Sequence, residues 1–295
     1  MPKLIILCGP PGSGKSTYTK DLIENNHSIY INQDSQGKDE HIRLFLMAIE
    51  AKKDIIVDRM NFNKEQRNRY LSQAKAAGYE TEIKVLYVPR QVCYDRIVKR
   101  EEHETIKAGD NATAGKVLDF FFKNWERPED YEADKVTHIY PGGNKPSACI
   151  CDIDNTLANC DHREHFLQNP GKKNWKGFFD NMDKDPVNEW CRSILNQTES
   201  GCQSIKVLLV SARPDTYREI TEKWLKEKDV RYNELIMRNR GDYREDSIVK
   251  EQILDFELLT RYNIIYWIDD RKRVIDKIRS RGIIVLDCAG EKGNF

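Results

Sequence analysis

Gly9-Pro10-Pro11-Gly12-Ser13-Gly14-Lys15-Ser16-Thr17 decides how the first half of this chain is read. Its G-x-x-x-x-G-K-S spacing is that of a phosphate-binding P-loop. The flanks are those the physics requires. The apolar run Leu4-Ile5-Ile6-Leu7 predicts a strand before the loop and the residues from Lys15 predict a helix after it, so that backbone N–H groups at a helix N-terminus converge on an anion. Gly9, Gly12, Ser13 and Gly14 are expected to shape the cradle, and Thr17 to complete it. Lys15 is expected to bridge the β- and γ-phosphates of a nucleoside triphosphate, and Ser16 to ligate Mg²⁺. The bland alternative, a glycine-rich turn that merely starts a helix, is disfavoured by the strand-loop-helix context.

Outward from the loop, predicted strands at 3–7, 28–32, 54–57 and 82–88 alternate with helical patterns at 16–26, 40–52, 64–77 and 90–102. This is the pattern of an α/β fold with a parallel sheet. Pro141-Gly142-Gly143-Asn144-Lys145-Pro146 is the densest cluster of breakers in the chain and marks a boundary. A second series follows, with strands at 148–153, 205–210, 234–237, 264–268 and 283–286 and helical patterns near 187–199, 215–228, 246–259 and 271–281. The expected organisation is a P-loop domain over 1–141, a linker at 142–146 and a second parallel-sheet domain over 147–295. A chain of 295 residues exceeds the size at which single cores stop growing, which favours two domains. Residues 155–186 read as an insertion after the first strand of the second series, suited to a small cap.

Charge is informative through its evenness. Residues 1–145 carry 23 Lys+Arg against 22 Asp+Glu, and 146–295 carry 25 against 26, so neither half has the positive excess of a protein that coats a duplex. Any nucleic-acid contact is therefore expected at a terminus, through a few arginines. Charged residues make up 33% of the chain and no apolar run approaches the roughly 18 residues of a membrane span, so a soluble, cytoplasmic protein with no membrane partner is expected. The eight cysteines form no Cys-x-x-Cys pair and several fall in predicted strands, which predicts buried free thiols.

A phosphotransferase also needs a base and a charge clamp. Asp34 and Asp58 follow the second and third predicted strands, whose carboxyl ends line the ligand crevice of an open parallel sheet. Asp34 is placed to accept the proton of an acceptor hydroxyl, the alternative being a helix N-cap. Arg96, Lys99 and Arg100 have helical spacing before the polar stretch 101–112, and read either as a lid over the triphosphate or as a solvated helix face.

The second half holds an ordered constellation: Asp152-Ile153-Asp154-Asn155-Thr156 at a strand end, Ser211-Ala212-Arg213 after the next strand, Lys250 in a helix, and Asp269-Asp270 at another strand end. Asp-x-Asp, then Ser, then Lys, then Asp-Asp resembles the haloacid dehalogenase superfamily of phosphatases. In that chemistry Asp152 attacks phosphorus, while Asp154 protonates the leaving oxygen and later activates water. Asp152, Asp154, Asp269 and Asp270 are expected around Mg²⁺, Ser211 on the phosphoryl oxygens, and Lys250 as the countercharge.

Over almost its whole length the chain resembles the phage-type bifunctional polynucleotide kinase-phosphatases, kinase first and phosphatase second. The resemblance implies ATP as phosphoryl donor, Mg²⁺, 5′-OH ends of RNA or DNA as acceptors, and 3′-phosphate ends as phosphatase substrates. It also implies a homo-oligomer that acts before a separate ligase, in a host cytosol if phage-encoded. It supports Lys15, Ser16 and Asp34 as P-loop and general base, Asp58 as a substrate-site aspartate, and Arg96 and Arg100 as lid arginines. In the second half it adds Arg163, Arg213 and Asp246, the last within the characteristic stretch Arg238-Asn239-Arg240-Gly241-Asp242-Tyr243-Arg244-Glu245-Asp246-Ser247-Ile248-Val249-Lys250. Three departures stand out: Gly37 followed by Lys38 where the family has an acceptor-phosphate arginine, Asn155 in place of a glycine, and one extra residue near Met60. The competing readings are a small-metabolite kinase fused to a phosphatase and a non-catalytic nucleic-acid binder with a vestigial ATP site.

Overall fold

The computed structural model describes residues 1–26, 28–99, 110–168, 171–201 and 204–288. The chain divides into two compact units, Met1–Gly142 and Gly143–Phe295. In the first, strands β1 (Lys3–Cys8), β2 (Ile29–Ile31), β3 (Ile55–Asp58), β4 (Glu80–Leu86) and β5 (Lys135–Ile139) form one sheet in the order β2-β3-β1-β4-β5. Every pairing is parallel. Helices α1 (Lys15–Asn26), α2 (Gln33–Gln36), α3 (Glu40–Glu50), α4 (Lys64–Ala76), α5 (Arg90–Lys99) and α6 (Asn111–Asn124) connect the strands. Strand β1 is the first in sequence and central in space, so the chain builds one flank and then the other. The loop after β1 thereby lies at the switch point where parallel sheets bind ligands.

The second unit repeats this logic. Strands β6 (Ser147–Cys151), β7 (Ile205–Pro214), β8 (Glu234–Arg238), β9 (Asn263–Asp269) and β10 (Ile284–Asp287) are ordered β10-β9-β6-β7-β8, again all parallel. Its helices are α7 (Trp175–Asp180), α8 (Glu189–Gly201), α9 (Arg218–Glu227), α10 (Asp246–Ile253) and α11 (Lys272–Arg279). Strand β6 is buried on both faces. Cys149 and Cys151 join one hydrophobic cluster and Ala148 and Ile150 the other, because successive side chains of a strand point to opposite sides. That double burial is why the segment reads as an uninterrupted apolar run.

The α/β character of both halves agrees with the sequence pattern, with differences that have local causes. Strand β5 and helix α6 were not anticipated. Lys135-Val136-Thr137-His138-Ile139 is a polar edge strand with none of the apolar density of the central strands, and every one of its residues is at least partly accessible. Strand β7 extends through Ser211 and Arg213 to Pro214, with a register irregularity against β8 between Ser211 and Pro214. The predicted helix 246–259 is α-helical only to Ile253 and continues as one π turn, Leu254–Leu258. The insertion 155–186 is less a separate cap than part of the core, since Leu157, Ala158, Cys160 and Phe178 join the cluster around Trp224. Cys8, Cys149, Cys151, Cys160 and Cys191 are buried thiols. Among the described residues no helix is long and apolar enough to cross a membrane.

Candidate active sites

The P-loop of the first unit is shaped by steric necessity. A Cβ on Gly9 would stand 2.8 Å from the Leu86 carbonyl oxygen, and one on Gly12 would stand 2.6 Å from that of Cys93. Both glycines also have positive φ, 151° and 81°, so a side chain is excluded by backbone conformation as well as by space. Lys15 Nζ donates to the carbonyls of Gly9 (2.9 Å) and Pro10 (3.0 Å), which curls the side chain over the loop where a phosphate is to be met. Burial holds its pKa below the ordinary lysine range. Arg96 on α5 reaches back to the Gly12 carbonyl at 3.3 Å, which puts this predicted clamp on the loop. Arg100, also expected there, lies outside the described residues, as does most of the predicted lid.

Asp58 is placed on the phosphate side of the crevice. Its carboxylate accepts from Ser16 Oγ (2.9 Å) and from the Tyr30 hydroxyl (2.8 Å). The aspartate expected at the substrate site is thus joined to the P-loop serine, because β3 lies directly beside β1 and ends level with Leu7. Asp34 sits in the first turn of α2 and is exposed; the helix is capped not by Asp34 but by Asn32, whose side chain accepts from the N–H groups of Asp34 and Ser35. The carboxylate of Asp34 is therefore left for other work. Gly37 ends α2 with φ 87°, and Lys38 beside it is exposed.

In the second unit the carboxyl ends of β6, β7 and β9 converge. Lys250, fully buried on α10, donates to Asp152 (2.9 Å) and Asp269 (2.9 Å) and lies 3.5 Å from Asp246. Burial alone would lower its pKa, but the three carboxylates hold it well above the usual lysine range. Arg271 also pairs with Asp246, at 3.0 Å. Asp152 is pushed well above the usual carboxylate range by burial and by Asp269, Asp270 and Asp246, against the pull of Lys250. Asp270 is pushed up to about 6, by burial and then by Asp269, again against Lys250. Oxygens of Asp152, Asp269 and Asp270 lie within 4.8 Å of one another. A crowded set of hard carboxylate donors whose protonation is favoured by mutual repulsion suits a small divalent cation such as Mg²⁺.

Asp154, expected among the metal ligands, is not in that group. Its carboxylate is taken by two buried guanidinium groups, Arg163 at 2.5 Å and Arg213 at 2.7 Å. Burial would raise its pKa, yet Arg213 and Arg163 hold it well below the ordinary range. Both arginines are anchored behind by Asp185, at 2.6 Å from Arg163 and 3.2 Å from Arg213. Ser211 is buried and its Oγ accepts from the Arg213 backbone N–H at 3.2 Å, at the irregularity of β7 against β8. Asn155 has φ 60°, the left-handed conformation that asparagine tolerates better than most residues, which accounts for its standing in for glycine.

Sequence reasoning missed Tyr30, Asp185 and Arg271. Arg271 directly follows the Asp-Asp pair and was within reach of the motif. Asp185 and Tyr30 carry no local signal, since each gains its partner only through the fold.

Residues 146–295 match the family model described as the polynucleotide kinase PNKP phosphatase domain, and residues 4–42 and 37–120 match that of an AAA domain. A putative bifunctional polynucleotide kinase/RNA ligase of Autographa californica nuclear polyhedrosis virus is 23% identical over 309 aligned positions, covering 92% of this chain and 40% of the relative. Transcription factor bHLH140 of Arabidopsis thaliana is 29% identical over 174 residues, 50% of this chain and 18% of that protein. The chain thus spans less than half the length of these curated relatives. Among solved structures, a chain of the Pnkp1/Rnl/Hen1 RNA repair complex aligns with TM-score 0.43 and 24% identity, over 97% of this chain and 95% of that one.

Proposed function

The chain belongs, through residues 146–295, to the family of polynucleotide kinase PNKP phosphatase domains, and from that membership we propose that it heals nucleic-acid ends. It transfers the γ-phosphate of ATP to a 5′-hydroxyl of RNA or DNA and removes phosphate from a 3′ end, leaving termini for a ligase. The observation that carries the reading is the pairing, in one chain, of a formed P-loop around Lys15 with a Lys250-braced Asp152 and an arginine-held Asp154. The viral relative's name also joins polynucleotide kinase with RNA ligase, which supports a ligase as the next actor. An assay of labelled γ-phosphate transfer to a 5′-OH oligonucleotide against mononucleosides and sugars, with phosphate release from a 3′-phosphorylated oligonucleotide, tests it. Preferential labelling of a nucleoside or sugar would replace it with the metabolite-kinase reading.

In the kinase site Lys15 supplies positive charge to the transferring phosphoryl group, Asp34 takes the acceptor hydroxyl's proton, and Arg96 offsets charge at the loop. Gly9, Gly12, Ser13, Gly14 and Thr17 line the triphosphate cradle. Arg100 is proposed as a second clamp. Ser16, backed by Asp58, would hold one Mg²⁺ in the first unit, and the carboxylates of Asp152, Asp269 and Asp270 another in the second, each neutralising phosphate charge when bound.

In the phosphatase site Asp152 is the nucleophile and Ser211 and Lys250 steady the phosphoryl group. Lys250 opposes the protonation that burial and the neighbouring carboxylates favour at the nucleophile. The arginines around Asp154 keep it ionised but weaken it as a base, so its task of accepting a proton from water in the hydrolysis of the aspartyl phosphate needs those contacts loosened. Its partner role as proton donor to the leaving oxygen requires that an incoming phosphate draw Arg163 or Arg213 away. Asp246 positions Lys250.

Lys38 is proposed as the acceptor-phosphate contact in place of the missing arginine. Lysine offers a flexible point charge, so Lys38→Ala is expected to raise the kinase KM for a 5′-OH oligonucleotide roughly three- to tenfold, with little change in kcat. Gly37→Arg has open space for its Cβ but must adopt φ 87°, at a cost of about 1–2 kcal/mol, so it is expected to lower the melting temperature even if it tightens the acceptor. Steady-state kinetics with varied oligonucleotide checks the first and thermal unfolding the second. An unchanged acceptor KM in Lys38→Ala would pass the role to another cation.

A further inference from the structure

Helix α7, inside the insertion after β6, carries an aromatic ladder that no catalytic role uses. Trp175 stacks on Phe179 with ring centroids 5.9 Å apart and planes 23° off parallel, and Phe179 meets Tyr217 at 5.2 Å and 38°. Trp175 and Phe179 share a helix face by their i, i+4 spacing, while Tyr217 arrives from the segment after β7. The helix is held in place by two local devices. Asn174 caps it, and Gly177 lets it approach the ring of Phe166 so closely that a Cβ there would stand 2.7 Å from that ring. Trp175 nonetheless remains 44% exposed, with Phe179 and Tyr217 half-buried beside it.

Lys172, Lys173 and Lys176 flank Trp175 in sequence and are exposed, with the Lys173 ammonium 5.9 Å from the Trp175 ring centroid; Lys176 is paired with Asp180, which also accepts from the Tyr217 hydroxyl. The ladder also adjoins the reaction centre. Phe178, next to Phe179, lies under the Arg163 guanidinium at 4.0 Å, and Tyr217 stands four residues beyond Arg213; these are the two arginines that hold Asp154. Exposed rings stacked in series among lysines are the chemistry of a single-stranded nucleic-acid platform: bases stack on aromatic faces, and backbone phosphates meet the ammonium groups.

We propose that Trp175, Phe179 and Tyr217 form a stacking platform for the unpaired bases leading into a 3′-phosphate terminus, with Lys172 and Lys173 tracking the strand's phosphates. The platform rests on the end-healing reading of the phosphatase site and gives it a substrate class, a single-stranded 3′ tail several nucleotides long. Its consequence is a preference for oligonucleotide 3′-phosphates over nucleoside 3′-monophosphates.

The test compares kcat/KM for a single-stranded 3′-phosphorylated hexanucleotide and for a nucleoside 3′-monophosphate in the full chain and its variants. Wild type is expected to prefer the hexanucleotide. Trp175→Ala is expected to lower the hexanucleotide-to-mononucleotide ratio about tenfold, with the change in KM, and Trp175→Phe to restore most of it. The double variant Lys172→Glu with Lys173→Glu is expected to weaken the hexanucleotide and flatten the salt dependence of its KM. Equal use of both substrates by wild type, or an unchanged ratio in Trp175→Ala, would overturn the platform while leaving the end-healing reading intact. Failure of the wild type to release phosphate from any 3′ end would overturn both. Unaltered salt dependence in the double variant, or a lowered ratio in Trp175→Ala that tracks a lower melting temperature and is not restored by Trp175→Phe, would make the rings and lysines structural and refute the platform.

Discussion

Lys15→Ala is expected to reduce phosphoryl transfer to a 5′-hydroxyl by at least about 10²–10³-fold while release of 3′-phosphate continues, and Asp152→Asn to produce the mirror image. The first substitution removes the ammonium group that the Gly9 and Pro10 carbonyls hold at the proposed site of phosphoryl transfer, where the missing charge would be felt most strongly in the transition state. The second replaces the carboxylate proposed as nucleophile with an amide that cannot form an aspartyl phosphate, so activity is expected to fall to background. The two sites follow the central strands of two separate sheets, and each unit has a core of its own, so neither change has a route to the other chemistry through a shared strand. Both activities measured on each purified, folded variant decide the matter. Loss of both by a single substitution would refute two independent sites.

Lys250→Ala is expected to cost the phosphatase unit about 3–5 kcal/mol as well as its activity. One buried ammonium group contacts Asp152 and Asp269 at 2.9 Å each and lies 3.5 Å from Asp246. Removing it leaves buried carboxylates without their common countercharge, the situation in which breaking an ion pair is most costly. A loss of that size lowers the unfolding midpoint of a domain of about 150 residues by very roughly 6–20 °C. Lys250→Met, which keeps the volume and discards the charge, is expected to fall nearly as far. The pH dependence follows from the sign of the carboxylate shifts. Asp152 and Asp270 are pushed up in the folded state, so protonation relieves the repulsion, and the deficit against wild type is expected to be largest near neutral pH and to shrink as pH falls. Tryptophan fluorescence is a suitable probe, because Trp175, Trp190, Trp224 and Trp267 belong to the second unit and only Trp125 to the first. Equal stability of Lys250→Met and wild type at pH 7 would show that the carboxylates do not need their counterion.

Much of the architecture was legible because it is written in short-range pattern. A P-loop is nine consecutive residues between a strand and a helix, and Asp152-Ile153-Asp154 is a strand end, so covalent neighbourhood alone presents both sets of groups. Buried parallel strands such as Leu4-Ile5-Ile6-Leu7 betray themselves by continuous apolarity. The unexpected strand β5 does not, because an edge position leaves its residues partly accessible and permits a polar sequence.

What the sequence by itself determined is therefore the identity and order of the candidate groups: Lys15 and Ser16 on one loop, Asp152 and Asp154 on another, and Ser211, Lys250, Asp269 and Asp270 in the order that the dehalogenase-like resemblance implies. The tertiary structure alone decided which of these groups share charge. Asp58 meets Ser16 because β3 lies beside β1, and Asp154 meets Arg163 and Arg213, with Asp185 behind them, because the insertion folds into the core. Coulomb interactions and hydrogen bonds act over a few ångströms of space, whereas a sequence records only separation along the chain. Two carboxylates two residues apart, Asp152 and Asp154, thus end with pKa values displaced in opposite directions.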